Sequence, residues 1–238
     1  MATLPTVVLV HGAFADSASW EPVTRLLLER GHSVRVPAVP NRSLIGDAEY
    51  IRSVIEQIEG PVLLVGHSYG GAVITVAGAA DNVVGLVYVS GYALEEGESL
   101  GELQGGFPDS ELASNLVYTP FPVAGGEPGT DVSVVIDAFP RIFAAGLDED
   151  VARILAVSQR PLAALAFSEA APVAAWKTKP GWGIVSSADR TINPDVERFG
   201  YTRAGLRAVT EIDAPHLVMR TNPEEVVTVI IDAIDQLR

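Results

Sequence analysis

A serine framed by glycines, Gly66-His67-Ser68-Tyr69-Gly70-Gly71, follows directly on the apolar run Val62 to Val65 and precedes a stretch rich in small residues, Ala72, Ala77, Gly78 and Ala79. The bare Gly-x-Ser-x-Gly spacing is only modestly specific. A strand before it and a small-residue helix after it, however, force a sharp, strained turn that lifts the hydroxyl above a sheet. Such an oxygen performs acyl transfer only when a base takes its proton, and near neutral pH that base is usually histidine. The chain has four. His11 ends an early strand, His32 sits in a turn before another, and His67 adjoins the serine with its ring expected to point away from Oγ. His216 is left, in Asp213-Ala214-Pro215-His216-Leu217, between the last strand-like run and the last helix-like run.

The base needs a carboxylate to hold its tautomer and stabilise the imidazolium. Val83 to Val89 ends in Ser90-Gly91 with no acid, whereas Gly183 to Ser186 leads into Ser187-Ala188-Asp189-Arg190. Asp189 is therefore the expected partner, with Asp213 and Asp195 as rivals. Main-chain donors for a developing oxyanion are expected at Tyr69, on a helix N-terminus, and at Ala13 in the loop after His11-Gly12, with Phe14 beside it.

To share one rim, these residues must hang on parallel strands. Val7 to Val10 reads as a strand buried on both faces. Pro22 to Arg30 has helical spacing stopped by Gly31, and His32 to Val36 is a second strand. Asp47 to Ile58 is a helix with Asp47 as its expected N-cap. Val62 to Val65 and Val83 to Val89 follow as strands three and four. The alternation then lapses from Gly91 to Pro180, a segment expected to hold a hairpin (Leu116 to Phe121 with Val132 to Ile136) and helices at Phe139 to Ala145, Glu149 to Val157 and Pro161 to Phe167. It resumes with strands at Gly183 to Ser186 and Leu206 to Ile212 and helices at Pro194 to Ala204 and Pro223 to Leu237. The pattern predicts an α/β protein: an open, mostly parallel six-stranded sheet flanked by helices, its ligand site at the carboxyl ends of the strands. Residues 1–90 and 181–238 form the core and residues 91–180 a cap or lid inserted after the fourth strand.

Composition narrows the chemistry. A net charge of −14 over 238 residues makes nucleic acid an unfavourable partner. Cysteine is absent, which removes thiolate catalysis and Cys-bearing zinc sites, and the four histidines have no metal-ligand spacing. No metal and no cofactor is expected. The first residues lack a basic, then long apolar, leader pattern, and no run approaches the roughly 18 apolar residues of a membrane span, so a cytoplasmic protein without membrane insertion is expected.

With the chain order Ser68, Asp189, His216, the His11-Gly12 loop and the glycine-framed serine in place, the sequence resembles the α/β-hydrolase superfamily over nearly its whole length. Val8-Leu9-Val10-His11-Gly12-Ala13, Trp176-Lys177-Thr178-Lys179-Pro180 and Asp189-Arg190-Thr191-Ile192-Asn193-Pro194 resemble the compact branch of plant methylesterases and hydroxynitrile lyases, and bacterial carboxylesterases are also similar. The resemblance implies an acyl-enzyme: Ser68 attacks, His216 serves as base and then protonates the leaving alcohol, and water deacylates the serine. The lyases of that branch carry Thr and Lys where this chain has Gly12 and Leu217, and Ser68 replaces the Asp nucleophile of dehalogenases and epoxide hydrolases. A serine carboxylesterase acting on a small to medium hydrophobic ester is therefore expected. A lyase or rearrangement catalyst, or a receptor-like binding protein, is the alternative use of the same fold. Phe14, Trp20, Tyr92, Tyr118, Phe121 and Phe143 are the expected pocket aromatics. The expected partner is a small-molecule ester, and association into a homodimer stays open.

Overall fold

Uninterrupted β-branched and leucine runs build the middle of the molecule, because a strand covered by helices on both faces has no polar side to show. The computed structural model describes residues 4–238; residues 1–3, which opened the expected core segment and the leader reading, lie outside the described residues. The strands are β1 (Thr6–Val10), β2 (Val34–Arg35), β3 (Val62–His67), β4 (Val83–Val89), β5 (Leu116–Phe121), β6 (Gly129–Val134), β7 (Leu162–Ala163), β8 (Gly181–Ser186) and β9 (Ala208–Ile212). Six of them form one sheet in the order β2-β1-β3-β4-β8-β9, every pair parallel. All six residues of β3 and of β8 are buried.

The chain runs from β1 outward to the edge at β2, then returns to lay β3 on the other side of β1. Loops leaving β1 and β3 therefore diverge to opposite faces and leave a crevice at the strands' carboxyl ends. Val10 pairs with Gly66 and His67 with Val89 across that end, which sets the loops after β1, β3 and β4 side by side. On one face the helix Glu21–Glu29 packs against Pro223–Gln236; on the other, Leu44–Ile55 packs against Tyr69–Ala77.

Between the adjacent strands β4 and β8 the chain makes its long excursion, which carries a second, antiparallel sheet β5-β6-β7. Here the structure departs from expectation. The helix expected over Pro161 to Phe167 is instead the strand β7 followed by a short helix, Leu165–Ser168. Leu162 and Ala163 pair with Val132 and Asp131, and Ala164 N–H donates to the Thr130 carbonyl (2.8 Å), so strand pairing takes the backbone bonds that a helix would have used. The second helix starts earlier than expected, at Leu44, because Ser43 caps it by accepting Gly46 N–H (3.1 Å). Asp47 lies inside that helix, turned inward to accept a hydrogen bond from the Tyr69 phenol (2.8 Å). No helix among the described residues is long and apolar enough to cross a membrane.

Candidate active site

The turn at Ser68 stores strain. Its backbone stands at φ 56°, ψ −123°, a region that costs a non-glycine residue on the order of 1–3 kcal/mol. Main-chain bonds hold it there: Ser68 N–H donates to the Val89 carbonyl (3.2 Å), and its own carbonyl accepts from Gly71 (2.9 Å) and Tyr92 (3.3 Å). The glycines make room for this geometry. A Cβ on Gly12 would fall 2.7 Å from Ser68 Cβ, and one on Gly70 would drive into the Val10 and His11 carbonyls at the end of β1.

The loop after β9 brings His216 to the same rim. Its Nδ1–H donates to Asp189 Oδ2 at 2.6 Å, both side chains fully buried. The other carboxylate oxygen, Oδ1, accepts Thr191 N–H (2.6 Å) and Ile192 N–H (3.1 Å), so the acid is fixed by the loop that follows β8. His216 Nε2 has no hydrogen-bond partner among the described residues, and no hydrogen bond joins it to Ser68 Oγ in this conformation. Such bonds are often long in ligand-free sites and tighten when substrate binds. The rivals Asp213 and Asp195 are exposed, and Asp195 pairs with Arg198 (2.7 Å) instead.

His67 points away from the serine, as its place in the motif predicts, and has work of its own. Its Nε2–H donates to the His216 carbonyl (2.9 Å), pinning the main chain of the residue that carries the imidazole. Burial, reinforced by the neighbouring His216, holds the His67 ring well below the usual histidine range, so it stays neutral. His11 is likewise neutral: burial pushes it down to about 4. Its Nδ1–H donates to the Gly12 carbonyl and its Nε2 accepts Val39 N–H, both at 2.9 Å, which anchors the loop after β1.

In that loop Phe14 adopts φ 61° and spends its N–H on the Arg160 carbonyl (2.9 Å), leaving Ala13 as the remaining donor. Among the described residues neither Ala13 N–H nor Tyr69 N–H is taken by a protein acceptor. The Tyr69 side chain turns the other way, to Asp47.

A cavity of about 20 Å³ opens at the serine, walled by Ala13, Phe14, Tyr69, Tyr92, Leu112 and Phe167 among others. A larger one of about 370 Å³ shares Leu112 and Phe167 with it and extends past Tyr118 and Val132 under the second sheet. Of the expected pocket aromatics, Phe14 and Tyr92 line the inner cavity and Tyr118, largely exposed, the outer one. Phe143 packs behind His216, ring centroids 5.0 Å apart, and edge-on to Phe14 at 5.8 Å. Trp20 is on neither wall: it is fully buried, edge-on to His67 at 6.3 Å. Phe121 lies outside as well, beneath the Arg42 guanidinium at 4.8 Å. Leu112 and Phe167, which the sequence did not single out as pocket residues, carry no signal beyond being apolar in the inserted segment. Among the described residues no cluster of three or more metal-ligating side chains occurs.

The family model described as the alpha/beta hydrolase family matches residues 7–229 of this chain. A carbendazim hydrolyzing esterase of Nocardioides sp. is 37% identical over 109 residues, 39% of this chain and 44% of that protein. A pyrethroid hydrolase of Sphingobium wenxiniae is 32% identical over 101 residues, 37% of this chain and 36% of that protein. Both matches thus span less than half of the relative's length. The crystal structure of polyneuridine aldehyde esterase superposes with a TM-score of 0.83 at 18% identity, covering 97% of this chain and 99% of that one, a likeness of fold.

Proposed function

The chain belongs to the alpha/beta hydrolase family, and on that footing we propose that it is a serine esterase that cleaves a small to medium neutral hydrophobic ester through an acyl-enzyme. One observation carries the reading: the buried 2.6 Å bond from His216 to Asp189 lies on the same rim as the strained Ser68. A carboxylate that orients an imidazole toward a serine hydroxyl is the arrangement that turns a weak nucleophile into a reactive one.

Ser68 Oγ adds to the ester carbonyl while His216 Nε2 takes its proton, and Asp189 stabilises the imidazolium through Nδ1–H. The oxyanion falls to the unpartnered N–H groups of Ala13 and Tyr69, the latter at a helix N-terminus where partial positive charge already gathers. His216 then returns the proton to the leaving alcohol. Water, deprotonated by the same histidine, cleaves the acyl-serine and regenerates the hydroxyl. The inner cavity admits little beyond the reacting carbonyl and its immediate substituents, and the apolar outer cavity takes the bulkier part of the ester. The inserted segment acts as its cap. The esterase and hydrolase named among the relatives support ester cleavage as the reaction class.

The test is a panel of p-nitrophenyl esters run with the wild type and Ser68→Ala, alongside labelling with a fluorophosphonate. Expected are turnover, a label on Ser68, and a fall in kcat of about 10⁴-fold or more in the variant, as for other serine hydrolases whose reacting groups act as a unit. Equal rates in the two proteins would overturn the proposal.

A further inference from the structure

Behind Asp189 lies a second acid that the proposed chemistry leaves unused. Glu197, in the helix Pro194–Arg203, is 1% exposed although the helix around it is largely polar. Its Oε2 accepts Ser186 N–H (3.2 Å) from the end of β8, and its Oε1 receives no hydrogen bond from any N–H or protein hydroxyl among the described residues. Asp189 is bonded to the other side of Ser186, its N–H donating to the Ser186 carbonyl (3.2 Å), and the two buried acid side chains are neighbours.

Two carboxylates only accept, so a bond between them requires one proton. Asp189 already accepts three donors at 2.6–3.1 Å, from His216, Thr191 and Ile192, whereas Glu197 accepts one. Asp189 is thus the better satisfied acceptor of the two. The groups that face Glu197 otherwise are the phenols of Tyr92, from the segment after β4, and Tyr201, from its own helix, neither of them a cation. The nearby Ser90 and Ser186 hydroxyls are bonded to each other (2.6 Å). Arg198 turns to the surface, where it holds Asp195 and Glu211.

We propose that Glu197 is a positioning residue of this site, a buried and uncharged carboxylic acid whose O–H donates to Asp189 and so fixes the carboxylate that holds His216. This rests on the reading of Ser68, His216 and Asp189 as the reacting set. Burial, and then the charge of Asp189, push the Glu197 carboxyl well above the usual carboxylate range, in the same direction as the geometry. An ionised Glu197 would instead place a second, unpaired negative charge beside the first.

Glutamine is the discriminating substitute, since its amide N–H₂ can donate to Asp189 while its oxygen accepts from Ser186. Glu197→Gln is expected to keep kcat within about twofold, with the acid limb of kcat/KM unmoved. Glu197→Leu fills the space without a donor and is expected to lose about tenfold or more in kcat at nearly constant KM, the worth of one hydrogen bond to a charged group. Two readouts need no turnover. The infrared carbonyl band of a protonated buried carboxylic acid should be present at neutral pH in the wild type and gone in Glu197→Gln, and the downfield His216 Nδ1 proton resonance should survive in Glu197→Gln and broaden or shift in Glu197→Leu. Absence of the infrared band, or an acid limb displaced by about a unit in Glu197→Gln, would show a charged Glu197 and overturn the proposal. A His216 resonance indifferent to Leu would do the same. If Ser68→Ala leaves ester turnover intact while both spectroscopic signatures appear, the esterase reading fails and the acid pair stands. If Glu197→Leu does not fold, the infrared band and the Glu197→Gln profile decide alone.

Discussion

The rim of the sheet and the segment joining β4 to β8 meet at one cavity, yet they hold their groups in different ways. On the rim every atom of interest hangs from the end of a buried strand and is fixed by main-chain bonds: Ser68 by Val89, Gly71 and Tyr92, Asp189 by Thr191 and Ile192, His216 by the His67 ring. In the inserted segment β5 has no fully buried residue, and the walls of the outer cavity are mostly side chains of that segment's loops, short helices and the strands β5 and β6. The two are tied by scattered bonds, most of them through side chains, among them Arg42 to Asp131 (2.7 Å), Thr191 Oγ1–H to the Ile142 carbonyl (3.0 Å) and Arg203 to Glu98 (2.6 Å). The geometry at Ser68 belongs to the backbone of the core, and most of the outer cavity's wall belongs to side chains of the inserted segment. Substitutions should therefore divide by location.

Glycines give the sharpest form of that division. A Cβ at Gly70, in the helix Tyr69–Ala77, meets the backbone carbonyls of Val10 and His11 at the end of β1, where no flexible side chain can give way. Gly70→Ala is expected to destabilise by about 3 kcal/mol or more and to abolish activity. Gly105, in the inserted segment, has open space where a Cβ would go, and Gly105→Ala should change stability by no more than about 0.5 kcal/mol. Urea unfolding of both variants checks this, and similar midpoints would erase the contrast.

Acid should also act on the rim first, since all four histidines lie outside residues 91–180. The His11 ring is held at about 4 by burial, below the ordinary value of 6.5 that it regains on unfolding. The unfolded chain therefore binds a proton that the folded one refuses. The stability this contributes is complete above pH 6.5 and is lost as pH falls toward 4, up to about 3 kcal/mol in all. The stability difference between wild type and His11→Gln, measured at pH 7 and pH 4.5, isolates it, because the carboxyl groups are common to both. The difference should shrink by most of that amount, and a constant difference would mean that His11 is not the group responsible.

The same contrast explains what could be read in advance. Strands buried on both faces announce themselves as unbroken apolar runs, so β1, β3, β4 and β8 were legible, and with them the loops that carry Ser68, Asp189 and His216. Asp47 has the short acidic side chain of an N-cap and reads as one in the sequence, yet the helix starts after Ser43. Asp47 turns inward to the Tyr69 phenol, a tertiary partner that no local pattern contains. Leu162 and Leu165 read as one helix because β6, the partner that claims the backbone there, lies some 30 residues away in the chain. Aromatic identity did not say which rings face the cavity, and Trp20 and Phe121 went elsewhere. Glu197 was invisible for a related reason: in a polar helix nothing marks the one acid that turns inward.

The inserted segment can be tested on its own terms through Phe167, whose half-buried ring stands in the wall shared by the inner and outer cavities. If side chains there set ligand shape and nothing more, removing the ring should merge the two spaces and leave the chemistry alone. Phe167→Ala is then expected to change the preference between a naphthyl and a methyl ester about fivefold through KM, a typical worth of about 1 kcal/mol for one apolar contact, with kcat within about twofold. Tyr118→Ala, on the exposed outer wall, should alter either constant less than twofold. A fall in kcat of the size expected for Ser68→Ala would mean that Phe167 supports the reacting groups directly, and the separation of rim from segment would not hold.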